Sequence, residues 1–351
     1  MLNKCGTAVI SASVNNGRFK QITFCPKENG VRNLYSKLFS VNSTGFKKMT
    51  MLTINIPVYN IEVNDLARQL LEQAQELKID FEIRIYDDGS ADAIKIKNRE
   101  LAKTPHVIYH ELEQNLGRAA IRNKMGFDSL HKYLLFIDAD SKVISERYLE
   151  NYLKFVTPGC VLCGGTAYSP EKPARQEKIL RWVYGRQREA VPAKERNGKK
   201  GFIITSNNFL MDGEVFKKIH FREELGPYGH EDTMLGYDLF CAGINPIHVH
   251  NPLEHTGLED SSVFLEKTRN ALENLRYISE KIVDNRSVFC HRVKFLAEYN
   301  KITSVVPPFL LRWFFSLFRK VMEKNLTSKN PILCWFDVYK LGYFSMLKRK
   351  K

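Results

Sequence analysis

From Met51 onward two hydrophobic periods alternate along the chain. "MLTINIPV" is a short, nearly continuous apolar run of strand length. The next segment, "NDLARQLLEQAQELK" (64–78), sets Leu66, Leu70, Ala74 and Leu77 on one helical stripe, with Asn64 placed to cap it. "FEIRIYDDGS" then returns to a period of two, with Phe81, Ile83 and Ile85 on one strand face before an Asp-Gly turn. A strand at 106–110, a helix from about 117 to 130 and the strand "KYLLFID" complete a β-α-β-α-β-α-β series. Such alternation predicts an α/β fold with a mainly parallel sheet covered by helices on both faces, and folds of this kind bind ligands at the carboxyl ends of strands.

Residues 1–50 lack this patterning and are rich in Ser, Asn, Gly and Lys. They are expected to form a poorly ordered arm, and Met49 or Met51 is a candidate for the true translation start. The next region, 51–285, is expected to be one domain and 286–351 a helical tail. With 351 residues and 44% hydrophobic residues, the chain can bury a sizeable core, which excludes a disordered protein. The net charge of +14 points to a polyanionic partner: nucleic acid, phosphates or an anionic membrane. Seven cysteines scattered through a long chain do not read as a disulfide framework, so a reducing compartment is expected. Cys160 and Cys163 form a single C-x-x-C without a second pair, so they read as small apolar residues beside Gly164-Gly165 rather than as zinc ligands. No run is apolar for the 18 or so residues of a spanning helix, and "GTAVISASV" is a poor signal sequence. A cytoplasmic protein is therefore expected.

Polar groups gather where the strands end: Pro57-Val58-Tyr59-Asn60 after the first, Asp87-Asp88-Gly89-Ser90 after the second, Asp138-Ala139-Asp140 after the fourth. Each alone has an ordinary explanation as a strand stop or a turn. If the strand runs through Asp140, its period of two puts Asp138 and Asp140 on one face, close enough for two bare carboxylates to repel. A proton or a cation is then expected between them. Neither G-x-G-x-x-G after the first strand nor G-x-x-x-x-G-K-[ST] occurs, which removes the main support for dinucleotide-binding and P-loop readings.

In order along the chain, "IPVYN", "IYDDGSAD", "NLGRAAIRN", "FIDAD", the pair Gly164-Gly165, "SNNFLM" and "GPYGHED" followed by "TMLGYDL" resemble the family 2 glycosyltransferases. These are inverting enzymes of GT-A fold that use nucleotide-diphosphate sugars. The resemblance runs from about Leu52 to about Leu275. It implies that Pro57, Tyr59, Asn60 and Asp88 contact the nucleotide, Asp88 reading the base. Arg118 would also contact the donor from a helix start whose positive end faces phosphate. For Arg122 a solvated helix face is an equal alternative.

The same resemblance implies a divalent cation, Mn²⁺ or Mg²⁺, held by Asp140 and shared by Asp138 with the donor, with His255 as a third contact. It makes Asp232 the general base and has Glu231 and Asn208 bind sugar or acceptor. From local sequence alone, carboxylates at a helix start read equally as capping. His248 and His250, on one strand face, read as structural. The basic loop 193–202 is a candidate flap over the phosphates, or merely solvated.

From Arg312 onward ten Lys and Arg face only Glu323 and Asp337, interleaved with aromatic residues from Phe309 to Phe344. Cationic residues mixed with Trp and Phe suit helices in the interface of an anionic membrane, preferred here over nucleic acid, although a helical appendage packed on the domain fits nearly as well. The expectation is a metal-assisted sugar transferase, hexosyl or N-acetylhexosaminyl. It would take a UDP-sugar donor and a glycan or lipid-linked acceptor, at the inner membrane face, in surface polysaccharide assembly. The alternatives are a sugar-1-phosphate nucleotidyltransferase, whose Gly-rich loop is missing, and a non-catalytic carbohydrate- or membrane-binding module on the same fold.

Overall fold

The computed structural model describes residues 51–199, 201–225 and 229–347. The expectations for residues 1–50, including the start site, fall outside the described residues.

Strands β1 (Met51–Val58), β2 (Asp80–Asp87), β3 (Val107–Glu111) and β4 (Tyr133–Ile137) lie parallel in the order β3-β2-β1-β4. The helices Asn64–Leu77, Asp92–Arg99 and Arg118–Asp128 connect them. Because β2 and β4 flank β1 on opposite sides, the strand order reverses at β1, and the crevice beyond its carboxyl end is where such sheets take ligands. After β5 (Ser141–Val143), β6 (Val161–Cys163) and β7 (Thr166–Ala167), strand β8 (Asn208–Asp212) runs antiparallel between β4 and β6, and β9 (Ile247–His248) closes the edge. The antiparallel β8 makes the sheet mixed rather than uniformly parallel.

Both faces are covered, as the alternation predicts. On one face Ile54, Ile56, Ile83 and Ile85 pack with Leu66 and Leu70 of the first helix. On the other, Leu134, Phe136 and Phe209 pack with Ile121, Met125 and Phe216. The Phe136 and Phe209 rings stack at 4.9 Å across β4 and β8. Each fully buried aliphatic or aromatic side chain of this kind contributes roughly 1.5–3 kcal/mol. The polar face of β2 is buried too. Arg84 pairs with Glu82 at 2.8 Å and Tyr86 donates to Asp128 at 2.9 Å, so the buried charges are satisfied beneath the helix Arg118–Asp128. One local expectation fails: the first helix is capped at Val63 without a side-chain bond, because the Asn64 amide donates instead to the Lys97 carbonyl.

A second, three-stranded sheet sets β10 (Leu253–His255) between β5, antiparallel, and β7, parallel. Its register places His255 opposite Ser141, immediately after the Asp138-Ala139-Asp140 turn.

The helices after residue 285 pack on this framework. Phe289, Leu296 and Phe344 share a core with Met234 and Tyr237, while Phe315, Phe336 and Tyr339 share another with Leu180 and Leu265. The aromatic residues of the tail therefore divide: these are buried, whereas Phe309, Leu310, Trp313 and Leu317 are exposed. Among the described residues no helix is long and apolar enough to cross a membrane.

Candidate functional site

β4 stops at Ile137, and Asp138 to Asp140 form a turn in which the Ser141 N–H donates to the Asp138 carbonyl. The two carboxylates are therefore not two steps along one extended strand. Asp138 meets Arg122, a buried guanidinium one helical turn after Arg118, in an ion pair. Asp140 turns toward His255, whose Nδ1 lies 3.4 Å from its Oδ1, and the Thr256 N–H and hydroxyl both donate to the Asp140 carbonyl. Burial alone would raise the Asp140 pKa. The hydrogen bond and charge of His255, with Arg118 and Arg181 farther off, hold it below the ordinary value instead. The repulsion anticipated within the couplet is relieved by giving each carboxylate its own basic partner.

Among the described residues no three His, Cys, Asp or Glu side chains converge on a common metal position. Of the expected trio, Asp140 and His255 face each other and Asp138 is paired with Arg122. Two protein donors, one of them a carboxylate, still fit a hard divalent cation that fills its remaining positions with diphosphate oxygens and water.

Asp138, Asp140 and His255 open into a cleft of about 1080 Å³, which Arg118, Glu231 and Asp232 also line. Asp232 lies in the first turn of the helix Glu231–Cys241, which is preceded by His230 in the left-handed conformation (φ 72°). Its Oδ1 accepts from the Thr233 N–H at 2.7 Å. Burial and then the neighbouring Glu231 charge push its pKa up to about 6, against the Thr233 hydrogen bonds and the charge of Arg118. Burial holds His230 down at about 4, leaving it neutral near pH 7. Glu231 accepts from the Gly229 N–H at 3.2 Å, so part of its capacity serves the turn before the helix.

The first two strand ends are tied to each other. The Asn60 N–H donates to the Ser90 hydroxyl at 2.7 Å, and Asn60 Oδ1 accepts from the Ala91 N–H at 2.8 Å. This places Asn60 in the scaffold, with Tyr59 exposed beside it and Pro57 half-buried within β1. Asp88 is buried and accepts from the Leu116 and Gly117 N–H groups at 2.7 and 3.1 Å, stitching the second strand end to the start of the helix Arg118–Asp128. Lone pairs remain on its carboxylate for a further donor. These four residues do not line the cleft, which begins at Arg118.

Asn208 does not serve as a sugar contact. It is fully buried, accepting from the Tyr148 and Tyr152 hydroxyls at 2.6 Å each and donating to the Gly165 and Asn251 carbonyls at 2.8 and 2.9 Å. Its neighbour Asn207, paired with Thr166, lines the cleft instead. The histidine pair also separates: His248 is buried and accepts from Arg196, while His250 lies beyond the two-residue β9 and is exposed. Burial holds His248 down at about 4. Cys160 and Cys163 are buried and unpaired, the Cys163 thiol pushed by burial up to about 11, which agrees with their reading as apolar fillers.

The basic stretch 193–202 begins as a short helix, Ala193–Gly198, rather than a free flap. Its Arg196 is buried without a carboxylate partner, and its guanidinium donates to the carbonyls of Val191, Cys163, Gly164 and Val249. A charge so placed has lost water and gained backbone dipoles, and burial lowers its pKa. Arg196, Asn207 and the Arg181–Glu189 pair (3.0 Å) line the cleft and were not singled out by the sequence. Only the four-residue spacing of Arg118 and Arg122 gave a usable signal, since it sets both on one helix face.

The chain is similar in sequence and in fold to known glycosyltransferases. The family model described as Glycosyl transferase family 2 matches residues 53–219. The chain is 25% identical over 266 residues to Glycosyltransferase GlyA of Streptococcus pneumoniae, an alignment covering 72% of this chain and 37% of that protein. It is 29% identical over 137 residues to an uncharacterized glycosyltransferase of Rickettsia conorii, covering 38% of this chain and 22% of the relative. The chain thus spans well under half the length of these relatives. The mannosyltransferase PcManGT from Pyrobaculum calidifontis, solved with GDP-Man and Mn²⁺, superimposes with a TM-score of 0.52 at 13% identity, covering 83% of this chain and 85% of that one. That likeness is one of fold, GT-A.

Proposed function

We propose that the chain is a glycosyl transferase of family 2, the family whose model matches residues 53–219, and that it transfers a sugar from a nucleoside diphosphate donor to an acceptor hydroxyl with inversion at the anomeric carbon. The observation that carries this reading is a carboxylate with its pKa near 6, Asp232, facing the same cleft as the Asp140–His255 pair. In the reaction, Asp232 accepts the proton of the acceptor hydroxyl as its oxygen bonds to the anomeric carbon. The bond from that carbon to the diphosphate breaks, and the electron pair leaves with the phosphate oxygen. Arg118 and the amino end of its helix supply positive charge to that departing group. A divalent cation held by Asp140 and His255 would add Lewis-acid stabilisation of the same charge. Asp88 is the nearest candidate at the strand ends for reading a base N–H, and a uracil imide suits a carboxylate. We take the sugar as a hexose or N-acetylhexosamine and the acceptor as a glycan or lipid-linked chain offered at an anionic membrane surface.

Thermal shift of the full chain with UDP and GDP, each with and without Mn²⁺, tests the reading. The wild type should be stabilised most by one nucleotide with the metal. Asp140→Ala should remove the metal-dependent part. Asp232→Asn should keep the shift and lose roughly 10²- to 10⁴-fold in turnover. Unchanged turnover in Asp232→Asn would refute the assignment of the base.

A further inference from the structure

The helix Pro308–Leu326 has two apolar sides, and the fold uses only one. Phe315, Met322 and Leu326 are buried against the helix Leu333–Met346 and its surroundings. Phe309, Leu310, Trp313, Leu317 and Val321 point away, with Phe309, Trp313 and Leu317 at 58, 63 and 59% exposure. At 100° per residue these five positions fall within one arc of about 120°, so they form a continuous ridge rather than scattered residues. A row of this kind in water is unfavourable and marks a contact surface.

The charges identify the partner. Arg312, Arg319, Lys320 and Lys324 are exposed along or beside the ridge. The helix has one acidic residue, Glu323, whose carboxylate is occupied by Arg319 at 2.9 Å and by the Tyr339 hydroxyl at 3.0 Å. Two copies of the chain meeting through this helix would oppose like charges on molecules that each carry +14. A lipid surface bearing negative headgroups has no such conflict. It accepts a Trp at the level of the headgroups, aliphatic side chains just beneath, and Lys and Arg reaching back to phosphate.

We propose that the ridge Phe309, Leu310, Trp313, Leu317 and Val321 lies in the interface of an anionic lipid monolayer, with Arg312, Lys320 and Lys324 contacting lipid phosphate. The inference rests on the proposed transferase reading only for its purpose, which is to hold the cleft beside a lipid-linked acceptor. The helix pair bearing the ridge also touches the wall of that cleft. Arg188, which lines the cleft, pairs with Asp337 at 2.8 Å, and the Tyr184 ring packs on Phe336 at 5.3 Å. The docking surface and the site thus belong to one packed body.

Flotation of the full chain with vesicles separates the outcomes without any reference to turnover. Vesicles of phosphatidylcholine containing about one-third phosphatidylglycerol should carry the protein up, and pure phosphatidylcholine should carry at least tenfold less. Trp313→Ser combined with Leu317→Ser should lower partitioning about tenfold, and Lys320→Glu with Lys324→Glu by a similar factor. All four positions are exposed, so an unchanged melting temperature should accompany each variant. Among the three tryptophans, only Trp313 should carry a lipid-induced blue shift, absent in Trp313→Phe. The proposal fails if the wild type stays with the pellet at both compositions, or if the Ser variants float as well as the wild type. It also fails if the same variants abolish a concentration-dependent dimer or the binding of single-stranded RNA instead. A wild-type protein that floats as expected but transfers no sugar would count against the transferase reading alone.

Discussion

The Asp232 carboxyl has its ordinary folded-state preference inverted. Its pKa lies near 6, above the usual 3.8, so the folded protein holds that proton more tightly than the unfolded chain does. The contribution to stability is therefore fully present below about 3.8 and is lost as pH rises through 6. Two results should follow. Turnover, which needs the ionised base, should fall tenfold per pH unit below about 6 in a pH–rate profile. Asp232→Asn should be more stable than the wild type at pH 7.5, by about 1–2 kcal/mol once contact with cleft water is allowed for, with the gain vanishing near pH 4 in denaturant titrations. At this scale the sequence was legible wherever the ordered motifs fixed a residue beside a predictable element, as for Asp232 at the start of its helix. Asn208 shows where it was not. Two adjacent asparagines differ only in which one enters the strand, and because β8 begins at Asn208 that side chain goes inward.

Among the elements, the turn at Gly164-Gly165 shows why a pair of small residues stands between β6 and β7. A Cβ on Gly164 would strike Tyr152, Asn208 and the Asn251 carbonyl, and one on Gly165, at φ 92°, would strike the Arg196 guanidinium. Neither neighbour can yield: the first group is hydrogen-bonded in the core, and the guanidinium is fixed by backbone carbonyls. Gly165→Ala should cost about 2–4 kcal/mol in urea unfolding, from the left-handed backbone and the overpacking together. The β-α alternation, read from hydrophobic period alone, recovered β1 to β4 and the helices Asn64–Leu77 and Arg118–Asp128 to within a few residues, while the helix Asp92–Arg99 was implied only by the alternation. The antiparallel β8 and the second sheet escaped, because strands of two to five residues buried by distant partners carry no local period, while the strand expected at His248 and His250 stops at His248.

At the level of the whole molecule, the +14 charge was visible from composition, but its division of labour was not. Some cations are interior, as Arg122 and Arg196 are, and others cover the exposed helix near the carboxyl end. The tail was expected either at a membrane or packed as a helical appendage on the domain, and its buried half shares cores with residues before 285. Tyr237, on the helix that begins at Glu231, packs edge-on to Phe289 at 5.5 Å and accepts from the Asn285 N–H at 3.1 Å. Phe344 completes the same core, with Arg276 4.1 Å above its ring. Removing residues from 305 onward should therefore uncover the core behind Asp232, and the shortened chain should bind a hydrophobic dye and lose cooperative melting.

That continuity sets an order of events during translation. Phe344 comes far after Asp232 in the chain, so the core behind the helix that begins at Glu231 closes only once everything up to Phe344 has left the ribosome. A nascent chain shorter than that has its first four strands but lacks the packing behind the Asp232 helix, and the exposed ridge of the helix Pro308–Leu326 emerges just before that packing closes.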